Sequence, residues 1–77
     1  MRNTVIVTAK GRVNKIILLA LLGYYKSQYE IHFREVPKTF WQIIPKFEGR
    51  LHNLNHEDIN TIKILAEDTD GLTVSVI

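Results

Sequence analysis

Residues Lys15–Tyr25 read Lys-Ile-Ile-Leu-Leu-Ala-Leu-Leu-Gly-Tyr-Tyr and form the longest apolar run in the chain. This run is shorter than the about 20 residues that a bilayer-spanning helix needs. It follows the turn signal Lys10-Gly11, and its periodicity predicts a central helix from about Arg12 to Ser27. Because the run is apolar on more than one side, the rest of the fold must cover this helix from two directions.

At 100° per residue, the predicted helix carries two apolar stripes. The first is expected to pack on a sheet and consists of Val13, Ile16, Ile17, Ala20, Leu21 and Tyr24. The second consists of Leu18, Leu22 and Tyr25. A surface helix usually has one stripe. The second stripe is therefore predicted to be covered by later helices of this chain, by another subunit, or by both.

Three segments are predicted to be β-strands, because β-branched and aromatic residues dominate them or alternate with polar residues. They are Thr4–Ala9, Tyr29–Val36 and Leu72–Ile77. The side chains expected to face inward are Val5, Val7, Ala9, Tyr29, Ile31, Phe33, Leu72, Val74 and Val76. On the second strand, Glu30, His32 and Arg34 are expected on the solvated face.

The segment Thr39–Asn53 allows two interpretations. Apolar residues recur at helical spacing, and Thr39 with Gln42 fits a capping box. The apolar residues are Phe40, Ile43, Ile44, Phe47, Leu51 and Leu54. Since Pro45 breaks a helix, the preferred interpretation is two short helices near 39–44 and 46–53. The rival interpretation makes Phe40–Ile44 a strand paired with 29–36.

The last helix has a well-marked start. Asn55 is a good N-cap residue, and Glu57 and Asp58 suit the positive end of the helix dipole. Leu54 and Ile59 are spaced for a hydrophobic staple. The helix is predicted to end near Glu67. Its buried side chains are expected to be Ile59, Ile62, Leu65 and Ala66.

These elements predict one small α/β (α+β) domain over residues 1–77 in the order β-α-β-(α-α)-α-β. The architecture is a two-layer sandwich with a three-stranded mixed sheet and its helices on one face. A right-handed crossover makes the first two strands parallel. If 40–44 is a strand, the order becomes βαββαβ, which is the ferredoxin-like arrangement.

The composition narrows the classes of function. The chain has no Cys, which excludes disulfides and thiolate chemistry and fits a reducing compartment. A predicted strand precedes the apolar run, unlike the basic start of a signal peptide. We therefore expect a soluble cytoplasmic protein without membrane contact.

Charge is unevenly distributed along the chain. Residues 1–29 contain no acid, and their bases are Arg2, Lys10, Arg12, Lys15 and Lys26. Residues 54–77 carry Glu57, Asp58, Glu67, Asp68 and Asp70 against one base, Lys63. This distribution is typical of two solvated ends of a chain. It also fits head-to-tail association, an acidic partner, or phosphate contacts to a nucleic acid. The predicted open sheet face, however, offers no aromatic side chain on which bases would stack.

Candidate catalytic and metal-binding patterns are weak. His52 and His56 are four residues apart, but Asn53-Leu54-Asn55 resembles a helix break. We therefore predict no metal site there, and no cofactor. His32 lies near Glu30 and Glu35, an arrangement that permits acid–base chemistry but is more typical of a solvated strand face.

The sequence thus favours a non-enzymatic regulator or inhibitor that acts by protein–protein binding and self-associates. Such small chains include phage-encoded proteins that block a host or defence protein. The predicted binding surface comprises Leu18, Leu22, Tyr25 and Trp41, flanked by Arg12, Lys15 and Lys26. Two other hypotheses are a nucleic-acid-binding protein that uses the basic N-terminal half and a ferredoxin-like domain that senses a small ligand.

Overall fold

The structure is a computed structural model that describes residues 2–39 and 41–77. Its elements are β1 (Thr4–Lys10), α1 (Arg12–Tyr25), β2 (Glu30–Val36), β3 (Lys46–His52), α2 (His56–Glu67) and β4 (Leu72–Val76). Within the described ranges, no helix combines the length and the apolar character needed to cross a membrane.

The four strands form one sheet in the order β2-β3-β1-β4. Every neighbouring pair is antiparallel, so β1 and β2 run parallel to each other with β3 between them. The prediction of a small α+β fold is confirmed, and β4 lies antiparallel beside β1 at one edge of the sheet. The sheet has four strands rather than three and is wholly antiparallel rather than mixed. The element order along the chain is βαββαβ, the ferredoxin-like order that was the alternative prediction.

The additional strand is β3, at residues 46–52, where the second of the two predicted short helices was expected. The described part of the rival strand, residues 41–44, is a turn and irregular chain, and Phe40 lies outside the described residues. In β3, Phe47, Gly49 and Leu51 face inward and are buried. Because Gly49 occupies the central inward position, the apolar side of the strand's alternation is interrupted, although its outward residues alternate regularly.

Both helices cover the same face of the sheet. One buried cluster joins the two helices to Val5, Val7 and Ala9 of β1, which are fully buried as predicted. From α2 it includes Ile59, Ile62 and Ala66, whereas Leu65, which was expected to be buried, is exposed. On the inward side of the outer strands, Tyr29, Ile31 and Val74 are partly buried against the cluster, and Phe33 and Val76 are exposed.

The start of α2 follows the sequence prediction. Asn55 has an extended backbone, and its side-chain oxygen accepts a hydrogen bond of 2.8 Å from the Asp58 N–H. This bond satisfies one of the four N–H groups that a helix start leaves without a partner. Leu54 and Ile59 are both buried in the core cluster, as a hydrophobic staple requires.

The rotation of α1 about its axis differs from the prediction. The side chains buried against the sheet are Leu18, Leu21, Leu22 and Tyr25. Val13, Ile16 and Tyr24, which were expected to face the sheet, are exposed instead. The sheet therefore buries the second stripe together with Leu21 of the first, and Ile17 of the first is partly buried against the core. The large side chains of Leu18 and Leu22 fit over Gly49. An added Cβ at Gly49 would lie only 2.8 Å from Leu22 Cδ1.

Candidate functional site

The solvent side of α1 is the first candidate surface. We call it the outer surface of α1 and define it by Val13, Ile16, Leu19, Ala20 and Tyr24. Val13, Ile16 and Tyr24 are 74%, 69% and 72% exposed. Their spacing with Ala20 keeps the side chains on one side of the helix. A contiguous exposed apolar patch in a small protein marks a contact site more often than an isolated exposed side chain does.

The predicted apolar binding residues lie elsewhere. Leu18, Leu22 and Tyr25 are buried between α1 and the sheet, and each is at most 5% exposed. They belong to the core rather than to an exposed surface. Burial raises the pKa of Tyr25, and the nearby Asp58 carboxylate raises it further. Sequence reasoning correctly identified a surplus apolar stripe on α1, but assigned it to the wrong side of the helix.

The basic residues predicted to flank the surface divide into two groups. Arg12 and Lys26 are exposed at the two ends of α1. Lys15 is half-buried, and its Nζ lies 4.9 Å from the centre of the Phe47 ring, on the sheet side of the helix. Helix α1 itself contains no acidic residue. The outer surface of α1 thus has a positive charge at each end of the helix, whereas Asp58 of α2 lies in the groove beside Tyr24.

Trp41 lies in the connection between β2 and β3 and is 81% exposed. Ile43 and Ile44 in the same connection are also exposed. This segment lies at the N-terminal end of α1, because the Gly11 N–H donates a 2.8 Å hydrogen bond to the Pro45 carbonyl. The predicted surface residue Trp41 therefore lies at the Arg12 end of the helix.

A groove of about 290 Å³ runs between α1 and α2. Its lining includes Tyr24 and Leu65, both of which are exposed. Asp58 also lines the groove, and its carboxylate accepts a hydrogen bond from the hydroxyl of Tyr29, the residue before β2. This hydrogen bond is the main reason that the pKa of Tyr29 is raised. The groove extends the apolar surface of α1 towards the second helix.

The open face of the sheet, opposite the helices, is polar. Glu30, His32 and Arg34 lie on it as predicted. None of the described residues on this face is Phe, Tyr or Trp, so it offers no Phe, Tyr or Trp ring on which a nucleic-acid base would stack.

The sequence interpretation missed the contribution of β3 to this face. Arg34 and Arg50 both donate hydrogen bonds to Glu48, at 3.3 and 2.8 Å. The hydrogen bond from Arg50 is the main reason that the pKa of Glu48 is lowered. Alternation of charged residues around Gly49 was the signal that would have placed them on a strand.

One end of the open face gathers His32, His52 and Glu30. His32 Nε2 lies 2.9 Å from Glu30 Oε2, and the centres of the two imidazole rings are 5.3 Å apart. His52 Nδ1 lies 3.2 Å from Thr4 Oγ1. The hydrogen bond and charge of His32 lower the pKa of Glu30. His56 begins α2 instead, beyond the break at Asn53, so His52 and His56 do not share a helix.

No protein-family model matches the chain, and no curated protein matches its sequence. Among solved structures, the chain is similar to a de novo designed protein, Foldit4, with a TM-score of 0.60 and 14% sequence identity. The similarity covers 100% of this chain and 97% of the designed one. It concerns the fold alone.

Proposed function

We propose that the protein is a non-enzymatic regulator or inhibitor that acts by binding another protein through the outer surface of α1. The observation that supports this proposal is the exposure of Val13, Ile16 and Tyr24 along one side of a helix whose opposite side already fills the core. These side chains supply contact area. Fully burying a residue such as Ile or Val contributes about 1.5–3 kcal/mol.

The charges at the border of this surface define the partner's chemistry. Arg12 and Lys26 stand at the ends of α1 with no acid on the helix between them. Complementary potentials accelerate association and select between partners. The partner surface is therefore apolar at its centre and acidic at its rim. Trp41 at the N-terminal end of α1 enlarges the contact, since exposed Trp residues often anchor interfaces.

In a purified sample the only protein that the outer surface of α1 can bind is another copy of this chain. We expect concentration-dependent self-association, measured by sedimentation equilibrium. Ile16→Glu places a charge at the centre of the apolar patch and should weaken association at least about tenfold, because it removes the burial of an Ile side chain. Ile16 is 69% exposed, so the variant should remain folded.

Ile64→Glu is the matched control. Ile64 is 59% exposed on α2 and lies outside the defined surface. It should associate as the unchanged protein does. Equal weakening by both substitutions would contradict the proposal. It would also be contradicted if the protein stayed monomeric at every concentration and cross-linked to cellular proteins no better from position 16 than from position 64.

A further inference from the structure

We infer that Glu30, His32 and His52 form a binding site for a divalent transition-metal ion, with zinc as the best match. One ligand atom from each residue lies within 4.8 Å of the other two. The donors are two imidazole nitrogens and one carboxylate oxygen, a set that zinc binds in proteins. Harder cations such as Mg²⁺ and Ca²⁺ prefer oxygen ligands alone, so the two imidazoles select against them.

The sheet brings these residues together from distant parts of the sequence. Glu30 and His52 are directly opposite each other in the antiparallel pair β2–β3. His32 follows Glu30 by two residues, so its side chain lies on the same face of the sheet. The site therefore depends on the β2–β3 register rather than on a local motif.

The distances are compatible with metal binding after small side-chain rotations. Two ligands of one tetrahedral zinc lie about 3.3–3.6 Å apart, because each bond to nitrogen or oxygen is about 2.0–2.2 Å long. Here the His32 Nε2 and Glu30 Oε2 atoms are 2.9 Å apart, and all three ligand atoms lie within 4.8 Å. The side chains of His32 and Glu30 are 63% and 71% exposed, which leaves them room to adjust.

Thr4 supplies an outer hydrogen bond to this site. It is directly opposite His52 in the β1–β3 pair, and its Oγ1 lies 3.2 Å from His52 Nδ1. When Nδ1–H donates to this hydroxyl, His52 Nε2 keeps its lone pair for a metal. Metal-binding histidines commonly donate their second N–H to such a partner, which fixes the tautomer and the ring orientation.

The arginine that is opposite His32 in the sheet is engaged by a carboxylate. Arg50 is opposite His32 in the register, but its guanidinium bonds to Glu48 at 2.8 Å. Glu30 and His52 also line an open depression of about 540 Å³ that reaches Asn53 and Arg2. This depression has room for water as a further ligand. Because the site lies opposite the helices, it is independent of the outer surface of α1.

The test is a titration of the full chain with ZnCl₂, followed by calorimetry and by NMR of the imidazole resonances. We expect saturable binding, with shifts of the His32 and His52 signals and little shift of His56. His32→Ala and the isosteric Glu30→Gln should each weaken binding at least about tenfold, the scale reached even by loss of an outer-shell partner. His56→Ala is the matched control and should bind as the unchanged protein does.

Circular dichroism and the Tm of each variant show whether it is folded. Because His32 and Glu30 are exposed, both substitutions should leave the protein folded. Three results would overturn the inference: no saturable zinc binding, undiminished binding by folded His32→Ala and Glu30→Gln, or an equal loss in His56→Ala. None of these results bears on protein binding by α1, so the two proposals stand or fall separately.

Discussion

Gly49 determines how closely α1 approaches the sheet. An added Cβ would lie 2.8 and 2.9 Å from the two Cδ atoms of Leu22 and 3.3 Å from Leu18 Cδ1. Both leucines are buried and have little room to move. We predict that Gly49→Ala lowers the free energy of unfolding by about 1–3 kcal/mol, the usual cost of overpacking a core. Denaturant unfolding measures this change.

Gly23 provides the control for that substitution. It is exposed on α1, and an added Cβ there would meet nothing within 4 Å. Gly23→Ala should therefore raise the free energy of unfolding by up to about 1 kcal/mol, because Ala is the better helix former. If Gly49→Ala proved as stable as the unchanged protein, Leu22 would not be held against β3.

The histidines show what residue-level reasoning from sequence missed. The spacing of His52 and His56 attracted attention because it is local, whereas His52 lies beside His32, twenty positions earlier in the chain. That proximity follows from the β2–β3 register, which the sequence does not reveal while 46–53 is interpreted as a helix. The candidate metal site was therefore not predictable before β3 was known.

At the level of elements, the N-cap of α2 offers the clearest test. Asn55 Oδ1 accepts a 2.8 Å hydrogen bond from the Asp58 N–H. We predict that Asn55→Ala lowers the free energy of unfolding by about 1 kcal/mol, and that Asn55→Gly lowers it by only a few tenths. Thermal or denaturant unfolding of both variants measures the difference. An Asn55→Ala protein of unchanged stability would show that this bond contributes nothing.

The elements differ in how far their sequences determine them. Residues 4–10 and 72–76 are rich in β-branched residues, and α2 has its own cap, so local signals were sufficient. In β3 the inward positions are Phe47, Gly49 and Leu51, and a glycine carries no apolar signal. For α1 the sequence determined the helix but not its rotation, because apolar side chains occur on nearly every side. Only the shape of the sheet beneath it decides which stripe is buried.

At the level of the whole molecule, the two helices separate the charges. α1 and its ends carry Arg12, Lys15 and Lys26, whereas α2 carries Glu57, Asp58 and Glu67 against Lys63. Two modes of self-association are then distinguishable. Contact between two α1 surfaces brings like charges together and closes as a symmetric dimer. Head-to-tail contact of α1 with α2 brings opposite charges together and can continue into longer assemblies.

Salt affects these two modes in opposite directions. We predict that NaCl strengthens self-association, because the screening length falls from about 10 Å at 0.1 M to about 3 Å at 1 M, which suppresses repulsion between the basic ends of two α1 helices. Sedimentation equilibrium at both salt concentrations measures the effect. The double variant Arg12→Gln and Lys26→Gln separates charge screening from a general effect of salt on apolar contacts. It should associate more tightly at low salt and respond less to NaCl. Association that weakens as salt rises would instead assign the contact to the α1 surface of one copy and the acidic α2 of the next.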